Sequence, residues 1–97
     1  MPAVATLLVT LIVSSGGVGL RHATVYCPGI YTYSTDDGVG VDGPMEMDSR
    51  GHAIMETPPW TYECRACARG YWCLDLTVAV DADHRRFEFQ LTPTVPD

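Results

Sequence analysis

Lysine is absent from this chain of 97 residues, and six arginines face twelve Asp and Glu side chains, which gives a formal net charge of −6. An acidic chain repels the phosphate backbone of nucleic acids, so the composition argues against nucleic-acid binding. Anionic membrane surfaces are disfavoured for the same reason. We therefore expect the partners of this chain to be proteins.

The chain also lacks an apolar run long enough to cross a bilayer, which needs about 20 residues. Its longest run is ATLLVTLIV at residues 5–13. One interpretation is the core of a signal peptide cleaved after residue 15, although no Lys or Arg precedes the run. The other is a strand, apolar on both faces, within residues 1–15 and buried in the middle of a sheet. We favour the strand and keep cleavage as the alternative.

Sequence motifs of the common enzyme classes are missing. There is no G-x-S-x-G and no P-loop, and Ala68 follows the C-x-x-C pair where a haem attachment signal needs His. A thioredoxin-type C-x-x-C opens a helix, whereas Arg69 and Gly70 lead into a predicted strand here. We therefore expect a non-catalytic protein, with a small redox or metal enzyme as the least favoured hypothesis.

Alternation with a period of two residues dominates the C-terminal third, and no window supports a long amphipathic helix. Residues 72–80 and 87–91 alternate apolar with polar side chains around a polar turn. This pattern predicts an antiparallel hairpin with one apolar face. The aromatic side chains expected in the core are Trp72, Phe87 and Phe89. We expect one all-β domain over residues 1–97, a mainly antiparallel small sheet or sandwich with this C-terminal β-hairpin, a C-x-x-C knuckle and little or no helix.

Residues 36–50 are rich in Asp, Glu, Gly and Pro. Gly and Pro at these offsets disfavour both a helix and a central strand. The D-x-D-x-D-G pattern of calcium loops is absent, so the acidic side chains do not form that kind of site. The stretch is predicted to be a solvated acidic loop.

The four cysteines, Cys27, Cys64, Cys67 and Cys73, carry the clearest chemical signal. Cys64 and Cys67 form a C-x-x-C pair, and a tight knuckle at that spacing directs both sulfurs at one metal ion. The stretch YECRACARG resembles the knuckle of a zinc ribbon, in which a C-x-x-C pair is followed by Gly and a strand. The resemblance implies a structural zinc held by the four cysteines, with His22 or His52 as substitute ligands.

Two other states of the cysteines stay open. Two disulfides would follow if the N-terminal run is a signal peptide, because secreted domains of this size are commonly disulfide-bonded. Four cysteines allow three pairings, and the sequence does not choose among them. The stretch CRACARGYWC also resembles the cysteine-rich turns of extracellular receptor repeats. The third state is free thiols.

These observations favour a non-catalytic structural or interaction module, stapled by a Cys-ligated zinc and serving a larger assembly such as a viral or phage particle. Tyr31 and Tyr33 share one face of a predicted strand and form the predicted partner surface. An intracellular or virion-associated location is favoured over secretion. The alternative function is a secreted, disulfide-stapled binding domain. The sequence does not fix the oligomeric state.

Overall fold

The computed structural model describes residues 6–29, 32–35, 38–41 and 43–95. Every regular element in them is a β-strand, so the predicted all-β class is confirmed. Within this part of the chain, no helix is long and apolar enough to cross a membrane. The strands are β1 (Leu7–Ser15), β2 (Val18–Gly19), β3 (Thr24–Tyr26), β4 (Thr32–Thr35), β5 (Gly38–Val41), β6 (Met45–Glu46), β7 (His52–Thr57), β8 (Trp60–Cys67), β9 (Leu74–Val80) and β10 (Arg86–Gln90).

The strands form two sheets. Sheet A has the order β10-β1-β7-β4-β5, with the short β2 also paired to β1, and sheet B has the order β6-β3-β8-β9. Neighbouring strands are antiparallel except β1 and β10, which run parallel with Leu11 opposite Phe87. Side chains from both sheets join one buried cluster, so the two sheets form a two-layer β-sandwich.

The core alternates along each strand, because successive side chains point to opposite faces of a sheet. Val9, Leu11 and Val13 fill the inner face of β1, and Phe89 is fully buried beside them. Phe87 is half-buried and packs against the same cluster, so both phenylalanines lie where the sequence predicts. Sheet B contributes the buried side chains of Val25, Met45, Tyr62, Cys64, Ala66, Val78 and Val80.

The apolar N-terminal run lies inside sheet A. Leu7–Ser15 forms β1, which pairs with β7 on one side and with β10 on the other. Ile12 and Ser14, on the outer face of the strand, are buried as well. Leu8, on the same outer face, is 60% exposed, so β1 is buried on both faces only toward its C-terminal end. Cleavage after residue 15 would remove a strand from the interior of the sheet.

The predicted pairing of the C-terminal hairpin is wrong, although both of its strands exist. β9 pairs with β8 in sheet B, and β10 pairs with β1 in sheet A. The two strands meet only near their ends, through the bridges Asp81–His84 and Tyr71–Pro93. The chain turns at Asp81 and crosses from one layer to the other, because β10 buries Phe89 against the inner face of both sheets. Local alternation does not reveal such a crossing.

The predicted loop at residues 36–50 contains more structure than the sequence indicates. Gly38–Val41 forms β5, and Met45–Glu46 forms β6 at the edge of sheet B. Met45 and Met47 are buried in the core. The buried Asp48 accepts hydrogen bonds from the backbone N–H groups of Arg50 (2.9 Å) and His52 (3.0 Å), which fixes the turn into β7. One acidic side chain of the stretch is therefore structural.

Candidate functional site

The four cysteines form two disulfides, Cys27–Cys64 and Cys67–Cys73. Each one lies where the register of sheet B places two residues directly opposite each other. Tyr26 is opposite Arg65, so the next position brings Cys27 opposite Cys64, with Cα atoms 4.3 Å apart. Ala66 is opposite Leu74, so the next position brings Cys67 opposite Cys73, at 4.4 Å. These separations are close to the roughly 4.5 Å of directly opposed residues in a non-hydrogen-bonded pair, and strand pairing selects this one of the three pairings.

The predicted zinc site is therefore wrong. Cys64 and Cys67 lie on the extended strand β8 rather than in a knuckle. Residues three apart on a strand point to opposite faces of the sheet, so their sulfurs diverge instead of meeting at one ion. No group of three or more His, Cys, Asp or Glu side chains in the described residues could hold a metal ion. The zinc-binding and metal-binding assignments, and the zinc-stapled module built on them, are overturned.

The two histidines proposed as substitute ligands lie elsewhere. His22 is exposed, and its Nδ1 is 3.0 Å from the Glu46 carboxylate. His52 begins β7 in sheet A, whereas all four cysteines belong to the sheet B layer or its loop. Neither histidine completes a cysteine site. Disulfides form and persist in an oxidising environment, whereas a reducing one keeps cysteines as thiols. The two disulfides therefore indicate an oxidising environment, which does not fit the predicted intracellular location.

The Cys67–Cys73 disulfide closes a short loop, residues 68–72, at one end of the sandwich. Inside it, the Tyr71 N–H donates to the Ala68 carbonyl at 3.0 Å, and Gly70 adopts a left-handed φ of 89°. The chain after β10 runs beside the loop: the Trp72 N–H donates to the Thr92 carbonyl (2.9 Å), and the Thr94 N–H donates to the Gly70 carbonyl (3.0 Å). A disulfide and a neighbouring segment together hold this loop in one shape.

Trp72 projects from that rigid loop into solvent. It is 64% exposed, so its predicted place in the core is wrong. The alternating pattern extends to residue 72 by chance, since the strand begins only at Leu74, after the disulfide. Arg69 on the same loop is exposed, and Val95 on the adjoining segment is 74% exposed. Trp and Arg are the side chains most enriched among the residues that dominate binding energy at protein interfaces.

Two exposed pairs of charged side chains lie on sheet B and in the turn that follows it. Arg65 on β8 donates two hydrogen bonds to Asp75 on β9, at 2.6 and 3.0 Å. The hydrogen bond from Arg65 lowers the pKa of Asp75, and Asp75 in turn raises the pKa of Arg65. At the β9–β10 turn, a hydrogen bond from His84 lowers the pKa of Asp81. All of these groups are exposed, as expected for solvated ion pairs.

The predicted tyrosine surface falls largely outside the described residues. Tyr31 is not among them. The backbone of Tyr33 lies in β4, opposite Met55 of β7, and its side chain is outside the description. That surface stays a prediction. The loop carrying Arg69 and Trp72 is the surface that the sequence analysis missed; the spacing C-x5-C around a glycine was its only sequence signal.

Fold and site together define a small β-sandwich with two disulfides in one sheet. No protein-family model matches the chain, and no curated protein matches it. Its function is therefore inferred from its own geometry.

Proposed function

We propose that this chain is a non-catalytic, disulfide-stapled binding domain that works in an extracellular or otherwise oxidising environment and recognises a protein partner through its Cys67–Cys73 loop. The observation that carries the proposal is Trp72, a large apolar side chain that is 64% exposed on a loop fixed at its base. A loop held in its binding shape loses little conformational entropy when it binds, so its contacts contribute more fully to affinity.

The composition of the loop supports a protein partner. Arg69 adds a positive charge next to Trp72 in a chain whose net charge is −6. An exposed indole and a guanidinium together suit an apolar pocket with an acidic rim. The overall negative charge disfavours an anionic membrane as the surface that the loop contacts. The shifted pKa values among the described residues belong to exposed pairs, which suits a binding surface better than a catalytic cleft.

Trp60 offers a matched control. It is 70% exposed and lies opposite Val80, at the other end of the β8–β9 pair from the disulfide loop. The variants Trp72→Ser and Trp60→Ser therefore remove the same exposed side chain from opposite ends of one hairpin. Neither indole is buried, so both variants are expected to keep the fold, which circular dichroism and thermal melting check.

The experiment uses the oxidised chain and its two variants as bait in the extracellular fraction of the source, followed by quantitative mass spectrometry. Each captured protein is purified and its affinity for the three baits is measured. We expect one partner whose affinity falls at least about 10-fold with Trp72→Ser and stays unchanged with Trp60→Ser. A set of captured proteins that bind all three baits equally would contradict the proposal.

A further inference from the structure

Sheet A carries a groove on its outer face, which is turned away from the core. Its volume is about 320 Å³, at the small end of the range for ligand sites. The side chains that matter for its chemistry come from four adjacent strands. They are Thr10, Ser34, His52, Ile54 and Arg86.

Strand register places four of these residues in one row across the sheet. Thr10 on β1 lies opposite Arg86 on β10 and opposite Ile54 on β7. Ile54 in turn lies opposite Ser34 on β4. Because neighbouring strands are about 4.8 Å apart, the row is roughly 14 Å long. His52 points to the same face, two residues before Ile54 on β7.

Four polar side chains of this groove are hydrogen-bond donors without acceptors, whereas Thr35, Asp48 and Arg50 of its lining have partners of their own. Within the described residues, the Arg86 guanidinium, the His52 ring and the Thr10 and Ser34 hydroxyls have no hydrogen bond or ion pair. Glu88, two residues along β10 on the same face, instead accepts a hydrogen bond from Ser14 at 2.7 Å. The groove therefore presents positive charge and donors in a chain of net negative charge.

The one described carboxylate that lines the groove is already engaged. Asp48 accepts from the backbone N–H groups of Arg50 and His52, at 2.9 and 3.0 Å. Its Oδ1 serves the turn before β7, and no contact between Asp48 and Arg86 is found among the described residues. Ile54 is 40% exposed and adds an apolar contact beside the donors.

A second groove, on the outer face of sheet B, shows the contrast. It is about 400 Å³ and is lined by Glu63, Arg65 and Asp75 among others. Arg65 is bound to Asp75 by two hydrogen bonds, and Glu63 accepts from the Thr77 hydroxyl at 3.0 and 3.1 Å. The charged side chains of that groove therefore have partners. In the sheet A groove, the Arg86 guanidinium has no such partner among the described residues, so an added acceptor would supply one.

We propose that the sheet A groove is a binding site for a small anionic ligand held through a phosphate or carboxylate group. Arg86 supplies the charge, and the His52 ring and Thr10 hydroxyl donate hydrogen bonds to its oxygens. Ile54 contacts the carbon part of the ligand. This site lies on a different layer from the Cys67–Cys73 loop, so it stands independently of the function proposed above.

The test is a titration of the full oxidised chain with sodium phosphate and, separately, sodium acetate, followed by two-dimensional amide NMR at constant ionic strength. Sodium chloride is the reference salt. We expect saturable shifts at β1, β7 and β10, with a Kd on the order of 1 mM for a lone anion. Saturation by phosphate alone identifies a phosphate site, and saturation by acetate as well extends it to carboxylates.

Three variants locate the site. Arg86→Gln is expected to weaken binding about 10-fold, and Thr10→Val about 3-fold, because they remove a charged and a neutral donor. Arg65→Gln, which removes an exposed arginine from sheet B, is the matched control and should leave the affinity unchanged. Shifts that never saturate, or an affinity that Arg86→Gln leaves intact, would overturn the proposal.

Discussion

Cys27, one residue beyond the end of β3, lies directly opposite Cys64 of β8, and their disulfide is part of the hydrophobic core. Their Cα atoms are 4.3 Å apart, and the two residues are 1% and 2% exposed. The second disulfide shares strand β8 but lies at its end, where Cys67 is half-buried and Cys73 is exposed. One strand therefore carries both a protected and an accessible disulfide.

Mild reduction should act on these two disulfides in order. Thiol–disulfide exchange needs direct access of a thiolate to sulfur, which the core denies to Cys27 and Cys64. Under native conditions with a small dithiol, we expect Cys67 and Cys73 to be alkylated first. Peptide mapping by mass spectrometry after a time course of reduction measures the order. Simultaneous labelling of all four cysteines in a chain that is still folded would contradict this expectation.

The glycine at the turn before β7 should tolerate no side chain. Gly51 has a φ of 78°, and a Cβ there would lie 2.5 Å from the Val13 carbonyl oxygen and 2.7 Å from the Leu20 nitrogen. Gly51→Ala therefore adds a backbone clash to the cost of the left-handed conformation, about 3 kcal/mol of unfolding free energy in total. Urea unfolding at equilibrium measures the loss.

Gly43 provides the control for that substitution. Its φ is 75°, but a Cβ there meets no atom within 4 Å. Gly43→Ala should lose only the conformational part, about 1 kcal/mol. Equal losses of unfolding free energy at the two positions would show that the close approach of Gly51 to β1 adds nothing to the cost of the substitution.

Protonation of Asp75 should remove a stabilising contact. Arg65 lowers the pKa of Asp75 in the folded chain, so the contribution of the pair is present above the ordinary Asp value of 3.8. It is lost as the pH falls through the lowered folded value. Asp75→Asn should therefore destabilise the chain at neutral pH, and the difference from the wild type should vanish in strong acid.

Unfolding followed by circular dichroism from pH 2 to pH 7 checks this, with Asp83→Asn as the control. Asp83 is exposed, and its carboxylate has no ion pair in the described part of the chain. High salt should shrink the effect of Asp75→Asn, because both partners are exposed. If the difference in stability between the wild type and Asp75→Asn instead grew as the pH fell, the expectation for the Arg65–Asp75 pair would be contradicted.

Deletion of residues 1–15 should abolish cooperative folding. It removes β1, which pairs with β7, β10 and β2 and buries Val9, Leu11 and Val13. We expect the shortened chain to lose its thermal transition and to bind hydrophobic dyes. Leu8→Ser, which changes a side chain of β1 that is 60% exposed, is the control and should leave a sharp transition. A folded chain that starts at residue 16 would show that the sandwich does not need this strand.

Local sequence patterns predicted where the strands lie better than they predicted which strands pair with each other. The alternation of β9 and the burial of Phe89 follow from period two alone, and the apolar run at residues 5–13 has the composition of a buried strand. These features depend only on neighbouring residues. The parallel pairing of β1 with β10 depends on where β10 lies after the chain crosses from sheet B to sheet A. No local sequence pattern encodes that position.

The cysteine site shows the same limit. A C-x-x-C pair directs two sulfurs at one metal only in a turn, and it separates them in a strand. The decisive information was the register of β3 and β9 against β8, which sets Cys64 and Cys67 opposite different partners. Likewise, Met45 and Met47 lie in a stretch whose Gly, Pro and acidic residues indicate a loop, yet long-range contacts with the core bury both.

The parallel pairing of β1 and β10 also determines how the sandwich responds to mechanical force. Among the strands of the described residues, β1 comes first along the sequence and β10 comes last. A pull on the N-terminal end of β1 and the C-terminal end of β10 therefore loads this parallel pair from opposite directions. All the hydrogen bonds between them then bear the tension together, in shear, rather than parting one at a time as they do when a hairpin is unzipped. The two disulfides meanwhile prevent the segments between the bonded cysteines from being extended. A pull applied to the chain on either side of the sandwich is thus resisted first by the β1–β10 pair.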